Sequence, residues 1–282
     1  MTGKVDLVMW AKNGEACLPS VFRRIERVIP SENVCHRILV DDRSTDRTVE
    51  IAQDFNWDVY TNPKGGIPSG ANEALKHVDQ DFFMSVEQDI LLAEDWWDKI
   101  CLHLRDPLVA CAQGIRIHAQ STLRLLDEWQ FDVLKRKRLL SSMDNNIFRS
   151  KIVRLIGGFP QSCPVCTDTI LMKRILLETR YKWVIDRDVV SLHMRLGLKA
   201  SVEHHYRMIS MCTRTPLCAD NEKPPISSVF RVFVTSPFRA LQIAIKEKTP
   251  NISWQYPLLR FYHLNASLTF RKTECPYNSS LK

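Results

Sequence analysis

The sequence predicts an α/β fold: a mostly parallel sheet with flanking helices, followed by a helical C-terminal extension. Three observations predict it. Short apolar runs alternate with helix-length amphipathic segments through the first half of the chain. A polar cluster follows each of four successive strand candidates. After about residue 197 the character changes, and Ser227 to Ile245 and Tyr256 to Phe270 are apolar with scattered Arg and His.

The strand candidates are Val5 to Ala11, Arg37 to Val40, Asp58 to Thr61, Asp81 to Val86 and Val109 to Ile115. Helix candidates lie between them: Leu18 to Val28, Thr45 to Phe55, Ser69 to His77 and Asp95 to Arg105. Strands spaced by helices of this size indicate βαβ units, because parallel neighbours need a crossover. The second helix should start with Ser44 or Thr45 as its cap and Asp46 in its first turn, near the positive end of the dipole. A helical stretch from Ser121 to Leu140 ends in the basic cluster Lys135-Arg136-Lys137-Arg138. A glycine loop at Gly157-Gly158-Phe159-Pro160, a helix from Thr167 to Thr179 and short strands over Lys182 to Leu192 close this part. These readings give a first domain over residues 1–200 and a helical extension over residues 201–282.

A chain of 282 residues buries one large core, or one domain plus an extension. Its 45% hydrophobic and 25% charged residues are ordinary for a globular protein. The net charge of +7 suits a diphosphate-bearing substrate or an anionic membrane surface. No aromatic-and-basic motif accompanies it, so nucleic acid is not expected as a partner. Nine cysteines are spread without a secretory signal, and Cys101 and Cys111 sit inside apolar runs. Reduced, buried thiols in a cytoplasmic protein are expected, not a disulfide framework. Cys163-Pro164-Val165-Cys166 is a lone CxxC with no second metal-spaced pair, and reads as loop packing before zinc or redox chemistry. No apolar run is long enough to span a bilayer.

Ligands of such sheets bind at the carboxyl ends of the strands, where the polar clusters fall. Asn13-Gly14-Glu15 follows the first strand, Asp41-Asp42 the second, Asn62-Pro63-Lys64-Gly65-Gly66 the third and Glu87-Gln88-Asp89 the fourth. Carboxylates at Asp41 and Asp42 suit a base N–H or ribose hydroxyls, the alternative being a helix cap. Glu87 and Asp89 suit a hard divalent cation, Mn²⁺ or Mg²⁺, with Asp89 as direct ligand and Glu87 direct or through water. The bland alternative is an acidic turn. His193 lies among apolar residues, which describes a core histidine unless the fold brings it to Asp89. Asp168 starts a helix, where it either caps or serves as a general base.

Taken together these residues resemble the family 2 glycosyltransferases, which have the GT-A fold, over roughly residues 3 to 200. Lys12-Asn13-Gly14-Glu15 looks like the family's first nucleotide-holding segment, so Asn13 and Glu15 are expected to contact the nucleotide. Asp41 and Asp42 match the aspartates that bind base and ribose. Gly66-Ile67-Pro68-Ser69-Gly70-Ala71-Asn72 is similar to the glycine-rich helix start ending in Arg-Asn: it keeps Asn72 but has Ala71 for Arg, and Lys64 is the cation to compensate. Glu87-Gln88-Asp89 is similar to the Asp-x-Asp metal motif. Gly157-Gly158-Phe159 matches the acceptor-side segment, Asp168 the base, and His193 a late metal ligand. The resemblance implies a metal-dependent, inverting transfer of a sugar from a UDP- or GDP-sugar. The hydroxyl acceptor is a glycan, a lipid-linked molecule or a small molecule.

For the extension two readings stay open. Its apolar segments with Arg231, Arg239, Lys246, Lys248, Arg260 and Arg271 lie on a membrane, making the protein cytoplasmic and peripheral, or they pack on the first domain or form a homodimer contact. Three rivals for function remain: a sugar-phosphate nucleotidyltransferase, a non-catalytic sugar-nucleotide-binding protein, and a receiver-like domain. The first wants a basic glycine-rich loop after strand one, for which Trp10-Ala11-Lys12-Asn13-Gly14 is a poor substitute. The third is about half this length.

Overall fold

The computed structural model describes residues 4–120, 123–124, 141–161, 167–194, 197, 199 and 225–269. The CxxC at 163–166, the basic cluster at 135–138, Arg271 and nearly all of the 121–140 stretch lie outside the described residues. The chain divides into two compact units, Met1–Ile117 with Lys137–Met194, and His118–Arg136 with Arg195–Lys282.

The first unit is built on one sheet. Its strands are β1 (Val5–Ala11), β2 (Val34–Asp41), β3 (Asp58–Thr61), β4 (Phe82–Val86), β5 (Ile90–Leu91), β6 (Val109–His118), β7 (Asn145–Arg149) and β8 (Lys182–His193). Their order across the sheet is β3-β2-β1-β4-β7-β6-β8-β5. The pairs β1/β2, β1/β4 and β2/β3 are parallel, as the βαβ reading expects. The pairs β4/β7, β6/β7 and β5/β8 are antiparallel, so the sheet as a whole is mixed. Antiparallel pairing needs no crossover helix, and the alternation of strand with helix gives no sign of it.

Helices cover both faces. They are α1 (Leu18–Val28), α2 (Thr48–Asp54), α3 (Ile67–Lys76), α4 (Trp96–His103), α5 (Ser150–Leu155) and α6 (Thr167–Glu178). β1 is buried along its whole length. Val5, Leu7, Met9 and Ala11 pack with α1, α2 and α4, while Val8 and Trp10 pack with α3, α5 and α6. That is the period-2 division of a strand buried on both faces.

Helix α2 corrects the expected cap. It begins at Thr48, so Asp46 precedes the first turn. Asp46 Oδ1 accepts the Thr48 N–H at 3.0 Å, whereas Ser44 and Thr45 are drawn off by the β1 loop. Lys182–His193 is one twelve-residue strand, not several short ones.

The second unit contains α7 (Ile226–Val234), α8 (Ser236–Lys246) and α9 (Ile252–Thr269). Leu123, Ala240, Ala244, Ile252, Tyr256 and Leu259 form its small core. No helix among the described residues is long and apolar enough to cross a membrane.

Candidate active site

The loops after β1 and β2 are tied together before any ligand arrives. Asn13 has φ +50°, its N–H donates to Ser44 Oγ at 2.9 Å, and its Oδ1 accepts the Thr45 N–H at 2.9 Å. Glu15 Oε2 accepts the Arg47 N–H at 3.2 Å, and the Glu15 N–H donates to Asp46 Oδ2 at 3.0 Å. Both side chains expected at the nucleotide therefore brace one loop against the other. Asp41 is buried and turns its carboxylate on the Ser44 N–H, 3.1 Å from Oδ2. Asp42 Oδ2 accepts the Gly66 N–H at 3.1 Å and lies 3.7 Å from Lys12 Nζ.

The loop after β3 is closed by the buried Asn62, whose Nδ2 donates to the Gly66 carbonyl and whose Oδ1 accepts the Gly65 N–H. Lys64 stands exposed on it. Ala71 is fully buried in the core on the α3 face, so the position expected to offer a cation to the ligand is an apolar contact. Asn72 reaches across the fold. Its Oδ1 accepts the Phe159 N–H at 2.9 Å, and its Nδ2 donates to the Phe159 carbonyl at 2.7 Å and to the Pro68 carbonyl at 2.8 Å. That amide holds the Gly157-Gly158-Phe159 loop in place. A Cβ on Gly158 would collide with Asn72 Oδ1, and Gly158 has φ +84°.

The acidic segment after β4 has three separate tasks. Gln88, its middle residue, hydrogen-bonds both backbone groups of Lys12: Lys12 N–H to Oε1 at 2.8 Å, and Nε2 to the Lys12 carbonyl at 3.1 Å. The Glu87 N–H donates to the Asp144 carbonyl at 3.1 Å. Asp89 meets His193, with Nε2 and Oδ2 3.0 Å apart. The topology places them, because β5 pairs with the end of β8 so that Ile90 faces His193, and the Met194 N–H donates to the Asp89 carbonyl. His193 is buried and Asp89 half-buried. A separation of 3.0 Å fits two neighbouring corners of an octahedral shell with bonds of about 2.1 Å. A carboxylate oxygen with an imidazole nitrogen is a donor set that Mn²⁺ accepts. Among the described residues, no third His, Cys, Asp or Glu ligand atom joins this pair within 4.8 Å.

Asp168 lies in the first turn of α6, where its Oδ1 accepts the Thr169 N–H at 2.6 Å. Burial pushes its carboxyl above the ordinary range, against the opposing pull of that N–H and of the Arg116 charge. Arg116 forms an ion pair with the fully buried Asp144. Sequence reasoning missed Arg116, Asp144 and Gln88, which the structure brings against Asp168, Glu87 and Lys12 respectively. Neither Arg116, at the end of a long strand, nor Asp144, ahead of an unrecognised one, belongs to a motif. Gln88 was passed over as the spacer between two acids.

A mixed α/β sheet with helices on both faces and polar loops at the carboxyl ends of its parallel strands is the GT-A fold of glycosyltransferases. Glycosyl transferase family 2 matches residues 6–159, and the chain belongs to that family. No curated protein matches in sequence. Solved structures match in fold. A mannosyltransferase from Pyrobaculum calidifontis, in complex with GDP-Man and Mn²⁺, is 15% identical at a TM-score of 0.62, over 94% of this chain and 86% of that one. Glucosyl-3-phosphoglycerate synthase from Mycobacterium tuberculosis, with Mn²⁺, UDP and phosphoglyceric acid, is 14% identical at 0.54, over 79% and 80%. S. aureus TarS residues 1–349 with UDP is 15% identical at 0.54, over 92% and 90%.

Proposed function

We propose that the protein transfers a hexose from a UDP- or GDP-sugar to a hydroxyl acceptor, with inversion and with Mn²⁺ or Mg²⁺ bound by Asp89 and His193. The observation that carries this reading is the Asp89–His193 pair at the carboxyl edge of β4. The solved relatives holding Mn²⁺ with GDP-Man or UDP support it. The cation would neutralise charge growing on the departing nucleoside diphosphate.

The chain's own residues supply the rest. Asp41 and Asp42 receive the base and ribose, with Asn13 and Glu15 fixing the loop that presents them. Lys64, exposed on the β3 loop, meets the diphosphate. Glu87 supports the metal through water. Asp168 takes the proton from the acceptor hydroxyl as it attacks the anomeric carbon. Its burial keeps that carboxylate poorly solvated and therefore basic. The Arg116 charge opposes the rise and favours the ionised form. Asn72 positions the glycine loop on the acceptor side.

We further propose that the C-terminal helices meet the surface of an anionic bilayer. Ile226, Phe230 and Val234 on α7, and Phe238, Leu241 and Ile245 on α8, are large, apolar and about half exposed or more. Spacings of three and four residues align each set on one helix face. Residues 225–269 carry five cations (Arg231, Arg239, Lys246, Lys248, Arg260) against one acid, Glu247, which complements anionic lipid.

Turnover of UDP- and GDP-sugars against an acceptor panel tests the enzymatic reading. Donor binding without transfer or hydrolysis in a Mn²⁺-loaded sample would replace it with a sugar-nucleotide-binding protein, and pyrophosphate release would replace it with a nucleotidyltransferase.

A further inference from the structure

At its amino end, away from the Asp41–Asp42 end that faces the proposed sugar-nucleotide site, β2 carries an irregularity with a chemical consequence. Val5 of β1 pairs with Val34, but Leu7 pairs with Arg37, so two steps along β1 correspond to three along β2. The extra residue falls at Cys35-His36, opposite Asp6. A bulge of this kind puts neighbouring side chains, normally on opposite faces, toward the same partner. Asp6, Cys35 and His36 accordingly gather within 4.8 Å of one another.

His36 Nδ1 is 2.9 Å from Asp6 Oδ1, and His36 Nε2 is 3.8 Å from Cys35 Sγ. Asp6 is fully buried and fixed, its Oδ2 accepting the Asp79 N–H at 2.7 Å and the Gln80 N–H at 3.0 Å. With a carboxylate accepting at one ring nitrogen, Nδ1 carries the proton and Nε2 turns its lone pair toward the thiol. Gln80 Nε2, 3.5 Å from Cys35 Sγ, offers the sulfur a hydrogen-bond donor. Cys35 and His36 are both partly exposed. Nucleophile, base and orienting carboxylate within reach of one another make the arrangement by which proteins activate a thiol. The other ionisable side chains nearest along these segments are Lys4 on the β1 segment, Arg37 on β2, and Asp79 and Asp81 beside Gln80.

The remaining described thiols are placed differently. Cys111 is buried and its thiol is pushed well up, and Cys101 is pushed up to about 12 by burial. Burial and the charge of Asp89 raise Cys17.

We propose that Cys35 is a second reactive site, a nucleophilic thiol activated by His36 and Asp6 that forms mixed disulfides with low-molecular-weight disulfides. The Cys35 proton passes to His36 Nε2, and the thiolate attacks one sulfur of RS–SR. The Cys35 S–S bond forms as the old S–S bond breaks, and the leaving RS⁻ takes the proton from His36. Cys35 is oxidised, the departing sulfur is reduced, and no other oxidant is needed. Six residues of extended strand, roughly 20 Å, separate Cys35 from Asp41, so this chemistry is distinct from sugar transfer.

The test uses the full chain, oxidised glutathione and iodoacetamide as probes, and peptide-resolved mass spectrometry. In the wild type, Cys35 should react at least about tenfold faster than Cys17 near neutral pH. His36→Gln should slow Cys35 by about tenfold or more and leave Cys17 unchanged. Gln80→Leu, which leaves the relay and Asp6 in place, should slow Cys35 by a few fold. Cys35 rates within about twofold across all three proteins would overturn the proposal, as would a wild-type Cys35 that reacts no faster than Cys17. One equivalent of zinc retained on the wild type and shielding Cys35 from alkylation would also overturn it, making the cluster a metal centre.

Discussion

His193 Nε2 sits 3.0 Å from Asp89 Oδ2 although 104 residues separate them in sequence. The contact depends on two short pieces of sheet, β5 and the end of β8, paired so that Ile90 faces His193. A histidine that reads as a core residue on its own thus becomes half of a candidate metal centre. The condition that made it interesting, proximity to Asp89, is met.

Gln88 should matter nearly as much as its acidic neighbours, through geometry. Gln88→Leu removes both hydrogen bonds to Lys12 and frees the end of β4 from the β1 loop. Two such bonds contribute about 1–3 kcal/mol. Donor affinity should fall by roughly 5- to 100-fold, with little change in transfer once donor is saturating. Titration of donor into the variant checks this, and unchanged affinity would show that the loop holds without Gln88.

Asp168→Asn separates binding from chemistry. Donor affinity should stay within about twofold while transfer falls by roughly 10²- to 10⁴-fold. In the wild type, transfer should decline on acidification through the raised Asp168 value, since the base must be ionised. Stability runs the other way. A folded-state value above the ordinary 3.8 means the native protein binds this proton more tightly than the unfolded chain. The contribution is full below 3.8 and is lost as pH rises through the raised value. Asp168→Asn should therefore melt higher than wild type at neutral pH and equal to it in strong acid. A lower melting temperature at neutral pH would contradict the burial argument.

Gly158→Ala tests the acceptor-side loop. The new Cβ meets Asn72 Oδ1, and the backbone holds φ +84°. The combined strain costs about 1–3 kcal/mol and pulls Asn72 off the Phe159 backbone. A lower urea midpoint with weaker acceptor saturation is expected, and a stability equal to wild type would show that the loop tolerates a side chain.

The exposed stripes on α7 and α8 predict cosedimentation with phosphatidylserine-containing vesicles and weaker binding to neutral ones. Phe230→Ser with Phe238→Ser should abolish it. Failure of the wild type to bind, or concentration-dependent dimerisation lost in the double variant, would assign this face to a second copy.

Much of this was legible in the sequence, for identifiable reasons. β1, β3 and α1 match their expected residues end to end, because a run such as Val5–Ala11 and an amphipathic Leu18–Val28 leave one reading. β7 was missed because Asn145 and Asn146 open it: both are buried, but as polar residues they hide the strand signal. β5 is two residues long, below any periodicity. Within the site, sequence marks the acids but not their partners. Asn13, Glu15 and Asn72 stand out as polar residues in the right loops, yet which atoms they hold is fixed by residues 31 to 87 positions away. Arg116 and Asp144 meet only through the fold.

The central claim is that Asp89 and His193 hold a divalent cation required for donor binding. Calorimetric titration of UDP and GDP, with and without Mn²⁺, into wild type, Asp89→Ala and His193→Ala tests it most directly. The account predicts Mn²⁺-dependent binding of one nucleotide in the wild type, lost in Asp89→Ala and weakened by roughly 10- to 100-fold in His193→Ala. Binding that is equal with and without Mn²⁺, or unchanged in Asp89→Ala, would contradict it.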